Sequence, residues 1–143
     1  MKQIAIGSDH AGYEMKQGII AWLNELGYDV TDHGTNSADS VDYPDFAHAV
    51  SLDVVNGKCE VGIVLCGSAN GVSMSANKHA AIRCALCWNE EISQLARQHN
   101  DANVLAIPAR FVTEEGALAM VQAFLNTSFE GGRHQRRVEK IAP

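Results

Sequence analysis

An apolar run that ends in a cysteine and a loop of small residues is the first place in this sequence where side chains suggest chemistry. Residues 61–78 read VGIVLCGSANGVSMSANK, with a single thiol, Cys66, at the end of the run. If residues 67–71 join a buried strand to a helix, their backbone N–H groups point outward where the helix dipole is positive, which stabilises an anion. The same field favours a thiolate at Cys66. The alternative, equally open on these residues alone, is that Cys66 is only the last small residue of the strand.

Spacing argues against three familiar uses of such a loop. A phosphatase of the C-x-x-x-x-x-R type needs arginine where this sequence has Val72. A P-loop needs its lysine directly after the last glycine, whereas Lys78 lies far beyond Gly71. A receiver domain needs an aspartate where Cys66 stands. The loop is therefore better suited to holding an oxyanion than to any of these three functions.

Two further pairs of polar residues follow predicted elements. Asp9 and His10 end the first apolar run, where a carboxylate and an imidazole can bind sugar hydroxyls and a phosphate. The simpler alternative for Asp9 is a helix cap. His99 and Asn100 end the predicted fourth helix, where a histidine more often interacts only with the helix dipole.

The C-terminal segment EGGRHQRRVEKIAP concentrates positive charge in an acidic protein. Four of the 11 lysines and arginines fall between positions 133 and 140. Arg133 and Arg137 are spaced i, i+4 and could clamp a phosphate from one helix face. A solvated basic end or a contact between subunits would explain the same residues.

Strand-like and helix-like segments alternate along the chain. The predicted strands read QIAIG, YDVTD, VGIVLC, IRCALCW and NVLAIP. Helices are predicted over 12–26, 44–55, from just after 70, over 89–98 and over 113–125. This order predicts an α/β protein, a three-layer Rossmann-like fold with a five-stranded parallel sheet in one domain, residues 1–143. Ligands of such sheets bind outside the carboxyl ends of the strands.

Composition narrows the class of protein. The 143 residues carry a formal net charge of −6, which argues against binding to nucleic acid or to an anionic membrane. No run of 18 apolar residues occurs, so we expect a cytoplasmic protein without a membrane segment. The four cysteines lack zinc-site spacing, and Cys84 and Cys87 lie inside a predicted strand, which favours reduced, structural thiols.

Several motifs together give the chain a resemblance to one family. In order, these motifs are SDHAGYEMK, DYPDFA, CGSANGVSMSANK, IRCALCW, ARQHNDANVLA and EGGRHQRRVE. They resemble the ribose-5-phosphate isomerase B family of sugar-phosphate isomerases over nearly the whole chain. The resemblance implies a Rossmann-like fold, a homodimer or homotetramer, no metal or organic cofactor, and interconversion of an aldose phosphate with its ketose phosphate.

The resemblance also implies roles for individual residues. Cys66 is expected to abstract the proton from carbon, the N–H groups of 67–71 to hold the enediolate, and His99, helped by Asp9, to open the sugar ring. Ser68 joins this catalytic group by touching the sugar. The remaining expected substrate contacts are Tyr43, Gly67, Ala69, Asn70, Gly71 and Asn100, and the phosphate contacts are His10, Arg110, Arg133 and Arg137.

The resemblance further implies a site shared between two subunits, with His99 and the arginines of a C-terminal tail, residues 129–143, reaching Cys66 of the neighbour. Ala69 departs from the family, in which glycine is usual, and a positive φ there would cost on the order of 1 kcal/mol. The substrate is expected to be ribose 5-phosphate. A six-carbon sugar phosphate (allose 6-phosphate or galactose 6-phosphate) and a non-catalytic sugar-phosphate-binding subunit remain as alternatives.

Overall fold

The computed structural model of the protein describes residues 2–143 and contains one five-stranded sheet. Its strands are β1 (Gln3–Ser8), β2 (Asp29–Asp32), β3 (Val61–Cys66), β4 (Cys84–Leu86) and β5 (Val104–Pro108). They lie in the order β2-β1-β3-β5-β4, and every neighbouring pair is parallel. The predicted α/β fold with a five-stranded parallel sheet is thus confirmed.

Residues 2–143 also form six α-helices, which complete the fold. They are α1 (Tyr13–Glu25), α2 (Tyr43–Val55), α3 (Asn70–Ala76), α4 (Glu90–Asn100), α5 (Glu114–Asn126) and α6 (Arg133–Glu139), with a 3-10 turn at His10–Gly12 before α1. The first five lie where the sequence pattern predicts them. The sequence indicated α6 only through the spacing of its two arginines.

Strand β4 is shorter than the apolar run that predicted it. It lies at the edge of the sheet, so one side of its backbone has no neighbouring strand. Asn77 takes the place of that strand: its Oδ1 accepts from the Cys84 N–H at 2.8 Å and its Nδ2 donates to the Cys84 carbonyl at 3.0 Å. On the other side, facing β5, Asn103 Oδ1 accepts from the Arg83 N–H at 2.7 Å. The side-chain amide of Asn77 therefore closes the open edge at Cys84.

The two faces of the sheet are covered by different helices, which gives three layers. Large side chains of the strands, such as Ile6, Leu65 and Ile107, point toward one helical layer and pack with Leu23 and Phe124. The other face carries smaller residues, among them Ala5, Val64 and Ala106, and packs against α2 and α3 through Val50 and Val72. The small residues allow α2 to approach closely: a Cβ at Gly62 would lie 2.5 Å from Cγ1 of Val50.

A buried ion pair connects α1 to the end of β2. Lys16 is fully buried, and its Nζ lies 2.9 and 3.0 Å from the two carboxylate oxygens of Asp32. Asp32 Oδ1 also accepts from the N–H of Gly34 at 2.9 Å. The Gly34 carbonyl in turn accepts from the Ser8 N–H, and the Ser8 carbonyl from Thr35, both at 2.8 Å. This chain of contacts holds the loop after β2 against the carboxyl end of β1.

Replacing Lys16 with methionine should destabilise the protein because Asp32 would lose the one cation that pairs with it within residues 2–143. Removal of one partner of a buried pair costs about 3–5 kcal/mol. Because the Asp32 side chain is 31% exposed, water solvates the orphaned carboxylate in part. We therefore expect a loss of about 2 kcal/mol in the free energy of unfolding, measured by urea denaturation.

The double variant Lys16→Met, Asp32→Asn is the control. It should be no less stable than Lys16→Met alone, because its neutral amide still accepts from Gly34. A loss below about 0.5 kcal/mol for Lys16→Met would contradict the structural role of the pair.

Candidate active site

Three adjacent strands bring candidate residues to the same edge of the sheet. β3 lies between β1 and β5, with Ser8 paired to Leu65 and Cys66 paired to Pro108. Just beyond the strands, the Asp9 N–H donates to the Leu65 carbonyl at 3.2 Å, and the Arg110 N–H donates to the Gly67 carbonyl at 3.1 Å. Asp9, Cys66 and Arg110 are therefore held next to one another by backbone hydrogen bonds.

Asp9 caps the 3-10 turn that precedes α1. Its Oδ1 accepts from the N–H of Ala11 at 2.9 Å and of Gly12 at 3.3 Å. The simpler prediction of a cap is thus observed. The structure shows no hydrogen bond to Oδ2 from residues 2–143, so the cap leaves one carboxylate oxygen of Asp9 for a ligand.

Cys66 is the last residue of a fully buried strand and is itself only 5% exposed. The chain then passes through Gly67 and Ser68 to Ala69, the residue that precedes α3. This strand, loop and helix are the arrangement that the sequence predicts. The thiol therefore lies where the strand ends and the N-terminus of α3 begins.

Ala69 adopts a left-handed backbone conformation, with φ 64° and ψ −2°. This conformation costs an alanine about 1 kcal/mol. The methyl group is fully buried on the α2 and α3 face, and its burial offsets part of the strain. The left-handed turn whose cost the sequence raised is therefore present, and an alanine makes it.

The loop presents backbone donors that the rest of the described chain does not use. Ser68 Oγ accepts from the N–H of Asn70 at 3.3 Å. For the N–H groups of Gly67, Ser68, Ala69 and Gly71, residues 2–143 provide no hydrogen-bond partner. Four free donors beside a thiol form a cradle for a negatively charged oxygen.

Two side chains lie directly over the glycines of this loop. The ring of Tyr43, at the start of α2, packs so closely on Gly71 that a Cβ there would collide with it. A Cβ at Gly67 would lie 3.1 Å from Nη1 of Arg110. Glycine at these positions lets an aromatic ring and a guanidinium group reach the cradle.

His10 is oriented by the loop after β2. Its Nδ1 accepts from the N–H of Val41 at 3.3 Å. In the neutral ring the proton is therefore on Nε2, which remains available as a donor to a ligand.

The other four predicted residues lie at the opposite edge of the sheet. His99 and Asn100 end α4, immediately before β5 begins at Val104. Five residues of β5 at about 3.3 Å each separate this edge from the cradle by about 16 Å. Arg133 and Arg137 are on α6, which packs on α4 and is preceded by a hydrogen bond from the Glu130 N–H to the Gln98 carbonyl at 3.1 Å. One chain therefore brings together ten of the predicted residues, namely Asp9, His10, Tyr43, Cys66, Gly67, Ser68, Ala69, Asn70, Gly71 and Arg110, but not these four.

Two neighbours of His99 were missed by the sequence analysis. The ring of His134 stacks on that of His99, with centroids 4.3 Å apart and planes inclined by 13°. Oε1 of Glu130 lies 3.9 Å from Nε2 of His99 and 3.5 Å from Nε2 of His134. The i, i+4 spacing of Glu130 and His134 within the motif EGGRH was the signal that could have indicated them.

A groove of about 830 Å³ lies at this second edge, away from Cys66. Its walls come from the start of β4, the end of α4 and the face of α6, and include Arg83, Asp101 and Ile141. The groove is therefore on the side of the molecule that carries His99 and the arginines.

The remaining cysteines differ chemically from Cys66 in their surroundings. Burial raises the pKa of the Cys84 and Cys87 thiols to about 12, and burial, with the carboxylate of Asp53, raises the pKa of Cys59. All four cysteines are free. Cys59, Cys84 and Cys87 thus stay protonated near neutral pH, as expected for structural thiols.

None of the helices within residues 2–143 is long and apolar enough to span a membrane.

Comparison with known proteins gives consistent matches over the chain. Residues 4–141 match the family model described as Ribose/Galactose Isomerase. Ribose-5-phosphate isomerase B of Escherichia coli strain K12 is 48% identical over 141 residues, covering 99% of this chain and 95% of that protein. The structure of a ribose 5-phosphate isomerase from Thermotoga maritima has a TM-score of 0.97 at 45% identity, covering 99% of this chain and 97% of that one.

A further solved structure was determined with a ligand. Ribose-5-phosphate isomerase B from Mycoplasma genitalium, with bound ribulose-5-phosphate, has a TM-score of 0.93 at 44% identity and covers 98% of this chain and 93% of that one. The family model, the sequence relatives and the fold agree over almost all of the chain, from β1 to α6. The chain belongs to the ribose/galactose isomerase family.

Proposed function

We propose that the protein is an aldose-ketose isomerase that interconverts D-ribose 5-phosphate and D-ribulose 5-phosphate, with Cys66 as the base. The observation that carries the proposal is the position of Cys66 beside four backbone N–H groups without partners in the described chain. Relatives named ribose-5-phosphate isomerase B, one of them with bound ribulose-5-phosphate, support the same substrate.

The reaction moves one proton and one pair of electrons between neighbouring carbons. His99, with Asp9, transfers the proton from the C1 hydroxyl to the ring oxygen, which opens the furanose to the aldehyde. The Cys66 thiolate then takes the proton from C2, and the C–H electrons form the C1–C2 double bond and leave negative charge on O1. The proton then returns to C1 while the O2 proton moves to O1, which gives the C2 carbonyl and the C1 hydroxyl of the ketose.

The cradle acts on the charge that develops at O1. The N–H groups of residues 67–71 stabilise this enediolate oxygen more strongly than the neutral aldehyde, which lowers the barrier. In other enzymes one such donor contributes about 10²–10³ in rate. Ser68 and Tyr43 line the same cradle and contact the sugar.

We infer that the complete site needs a second copy of the chain. His99, Asn100, Arg133 and Arg137 lie about 16 Å from the cradle of their own chain, too far for direct contact with the same sugar. A homodimer in which residues 129–143 pack on the neighbour brings them to its Cys66. A homotetramer would contain the same pair.

The phosphate is held by cations from both copies. Arg110 lies over Gly67, and His10 offers Nε2. On α6, Arg133 and Arg137 are both exposed, and neither forms an ion pair within residues 2–143. Two free guanidinium groups at i, i+4 suit a phosphate from a neighbouring site.

We place the protein in the cytoplasm and its activity in the pentose phosphate pathway of carbohydrate metabolism.

A six-carbon sugar phosphate is the second candidate substrate. The matching family model is described as covering galactose as well as ribose isomerases, which is the observation in its favour. Allose 6-phosphate or galactose 6-phosphate would add one hydroxymethylene unit between the cradle and the phosphate site. Values of kcat/KM for the three sugar phosphates, measured side by side, rank the candidates. A non-catalytic binding subunit would convert none of them.

Replacement of Cys66 by alanine should abolish proton transfer while leaving binding intact. Loss of a general base lowers the rate by about 10²–10⁴. We therefore expect kcat to fall by that factor, and exchange of the C2 hydrogen in deuterated water to stop. Cys59→Ala is the matched control and should retain activity. Full activity in Cys66→Ala would refute the assignment.

Mixing two inactive variants tests the shared site. In a dimer of one Cys66→Ala chain and one His99→Asn chain, one site carries both changes and the other carries none. Random exchange of subunits at equal amounts makes half of the dimers mixed, so about a quarter of wild-type activity should return. Activity that stays at the level of the separate variants would show that each site is built from one chain.

Alkylation should distinguish Cys66 from the other thiols. With a pKa of about 12, Cys84 and Cys87 are ionised in about one molecule in 10,000 at pH 8, and thiolates are the reactive species. Limiting iodoacetamide at pH 8, followed by peptide mass mapping, should label Cys66 first. Saturating ribose 5-phosphate should slow this labelling. Preferential labelling of Cys59, Cys84 or Cys87 would count against the role of Cys66.

A further inference from the structure

Three metal-binding side chains meet at the junction of α4 and α6. They are His99 in the last turn of α4, Glu130 in the segment between α5 and α6, and His134 in α6. One donor atom from each lies within 4.8 Å of the other two. No ring nitrogen of either histidine takes part in a hydrogen bond of the described chain; their polar contact is the carboxylate of Glu130.

The backbone holds this cluster in place. The Glu130 N–H donates to the Gln98 carbonyl at 3.1 Å, which ties the segment to the last turn of α4. Gly131 and Gly132 then both take positive φ, 67° and 53°, and turn the chain into α6. The His134 N–H donates to the Gly131 carbonyl at 3.0 Å, and the His134 side chain is only 10% exposed. One imidazole is thus fixed while Glu130 and His99, 50% and 39% exposed, can adjust.

We propose that His99, Glu130 and His134 form a binding site for a first-row divalent transition metal, Zn²⁺ in particular. Bonds of about 2.0–2.2 Å from zinc to nitrogen and oxygen place neighbouring tetrahedral ligands about 3.3–3.5 Å apart. The two measured distances to Oε1 of Glu130 are 3.5 and 3.9 Å. A shift of about 0.5 Å brings the longer distance into this range. Binding would also turn the His99 ring out of its stack on His134, because both imidazole lone pairs must then point at one ion.

The donor set determines which ions the site takes. Two imidazoles and one carboxylate suit Zn²⁺, Cu²⁺, Ni²⁺ and Co²⁺, whereas Mg²⁺ and Ca²⁺ prefer oxygen ligands alone. Because His99 and Glu130 are partly exposed, a water molecule can take the fourth coordination position of the metal. Three protein ligands and one water give the four-coordinate geometry that zinc favours.

Metal binding at this site would inhibit the enzyme. Coordination uses the Nε2 lone pair of His99, so the imidazole can no longer move a proton during ring opening. This consequence rests on the proposed function, whereas the metal site itself rests only on the three side chains. The metal would therefore be an inhibitor rather than a cofactor.

Zinc titration of the full-length protein tests the site. Equilibrium dialysis with ZnCl₂ should give one tightly bound ion per chain. Because loss of supporting groups alone costs about 10–100-fold in metal affinity, loss of a ligand in Glu130→Gln or His99→Asn should weaken binding by about 100-fold. Glu139→Gln changes an exposed glutamate of α6, the helix that carries His134; it is the matched control and should bind as the wild type does. Cys66→Ser removes the competing thiol and should also leave the affinity unchanged.

Cobalt absorption gives a second readout that does not depend on activity. Co²⁺ bound by nitrogen and oxygen should show visible d–d bands without a thiolate charge-transfer band, and Glu130→Gln should lose them. Unchanged zinc affinity in Glu130→Gln, or loss of binding in Cys66→Ser, would overturn the proposal. Thermal melts of each variant, compared with the wild type, exclude unfolding as the cause of lost binding.

Failure of the metal site and failure of the proposed function give different results. An active enzyme whose zinc affinity does not depend on Glu130 refutes the site alone. Metal-free protein that binds zinc in the expected pattern but converts no sugar phosphate refutes the function and leaves the site standing. Reversal of zinc inhibition by EDTA in the wild type, with weaker inhibition in Glu130→Gln, supports both the metal site and the proposed function.

Discussion

The parallel direction of all five strands determines where each functional side chain can lie. Strand carboxyl ends meet at one edge of the sheet, and the ends of the connecting helices meet at the other. Cys66 ends β3 and Asp9 follows β1, whereas His99 lies in the last turn of α4, so the fold itself separates them by about the length of β5. The second copy of the chain that we propose for the complete site would then be a consequence of this topology.

The edge that carries Cys66 is organised by backbone groups more than by side chains. Its donors are the N–H groups of residues 67–71, aimed by the left-handed turn at Ala69 and by the start of α3. Tyr43 and Arg110 pack where glycine leaves room. The ion pair of Lys16 and Asp32 holds the loop after β2 against the carboxyl end of β1. Such a cradle favours a charge that develops on the sugar during the reaction.

Sequence periodicity predicted most of the framework. The strands, the first five helices and the strand-to-helix loop at Cys66 all lie where apolar spacing and turn residues place them. The cap at Asp9 was the simpler of the two alternatives for that residue, and the short-range sequence could suggest it because a carboxylate before a helix has a local role. The strain at Ala69 was anticipated as a cost, although only the structure shows that its φ is positive.

Contacts between residues distant in sequence were beyond prediction. The pairing of Lys16 with Asp32 depends on how α1 packs on β2, and the amide of Asn77 finds β4 only because that strand lies at the sheet edge. The stacking of His134 on His99 likewise depends on the turn at the two glycines before α6. Patterns in the sequence report the local preference of a segment for helix, strand or turn. These contacts arise instead from the way that distant segments pack together.

We propose that residues 67–71 hold the reacting end of the sugar while the phosphate binds elsewhere. A crystal structure of the Cys66→Ala variant with ribose 5-phosphate would show the position of both groups. We predict the C1 and C2 oxygens within hydrogen-bond distance of the loop N–H groups, and the phosphate between His10, Arg110 and the arginines of a second copy. A phosphate seated in the loop itself would refute this assignment.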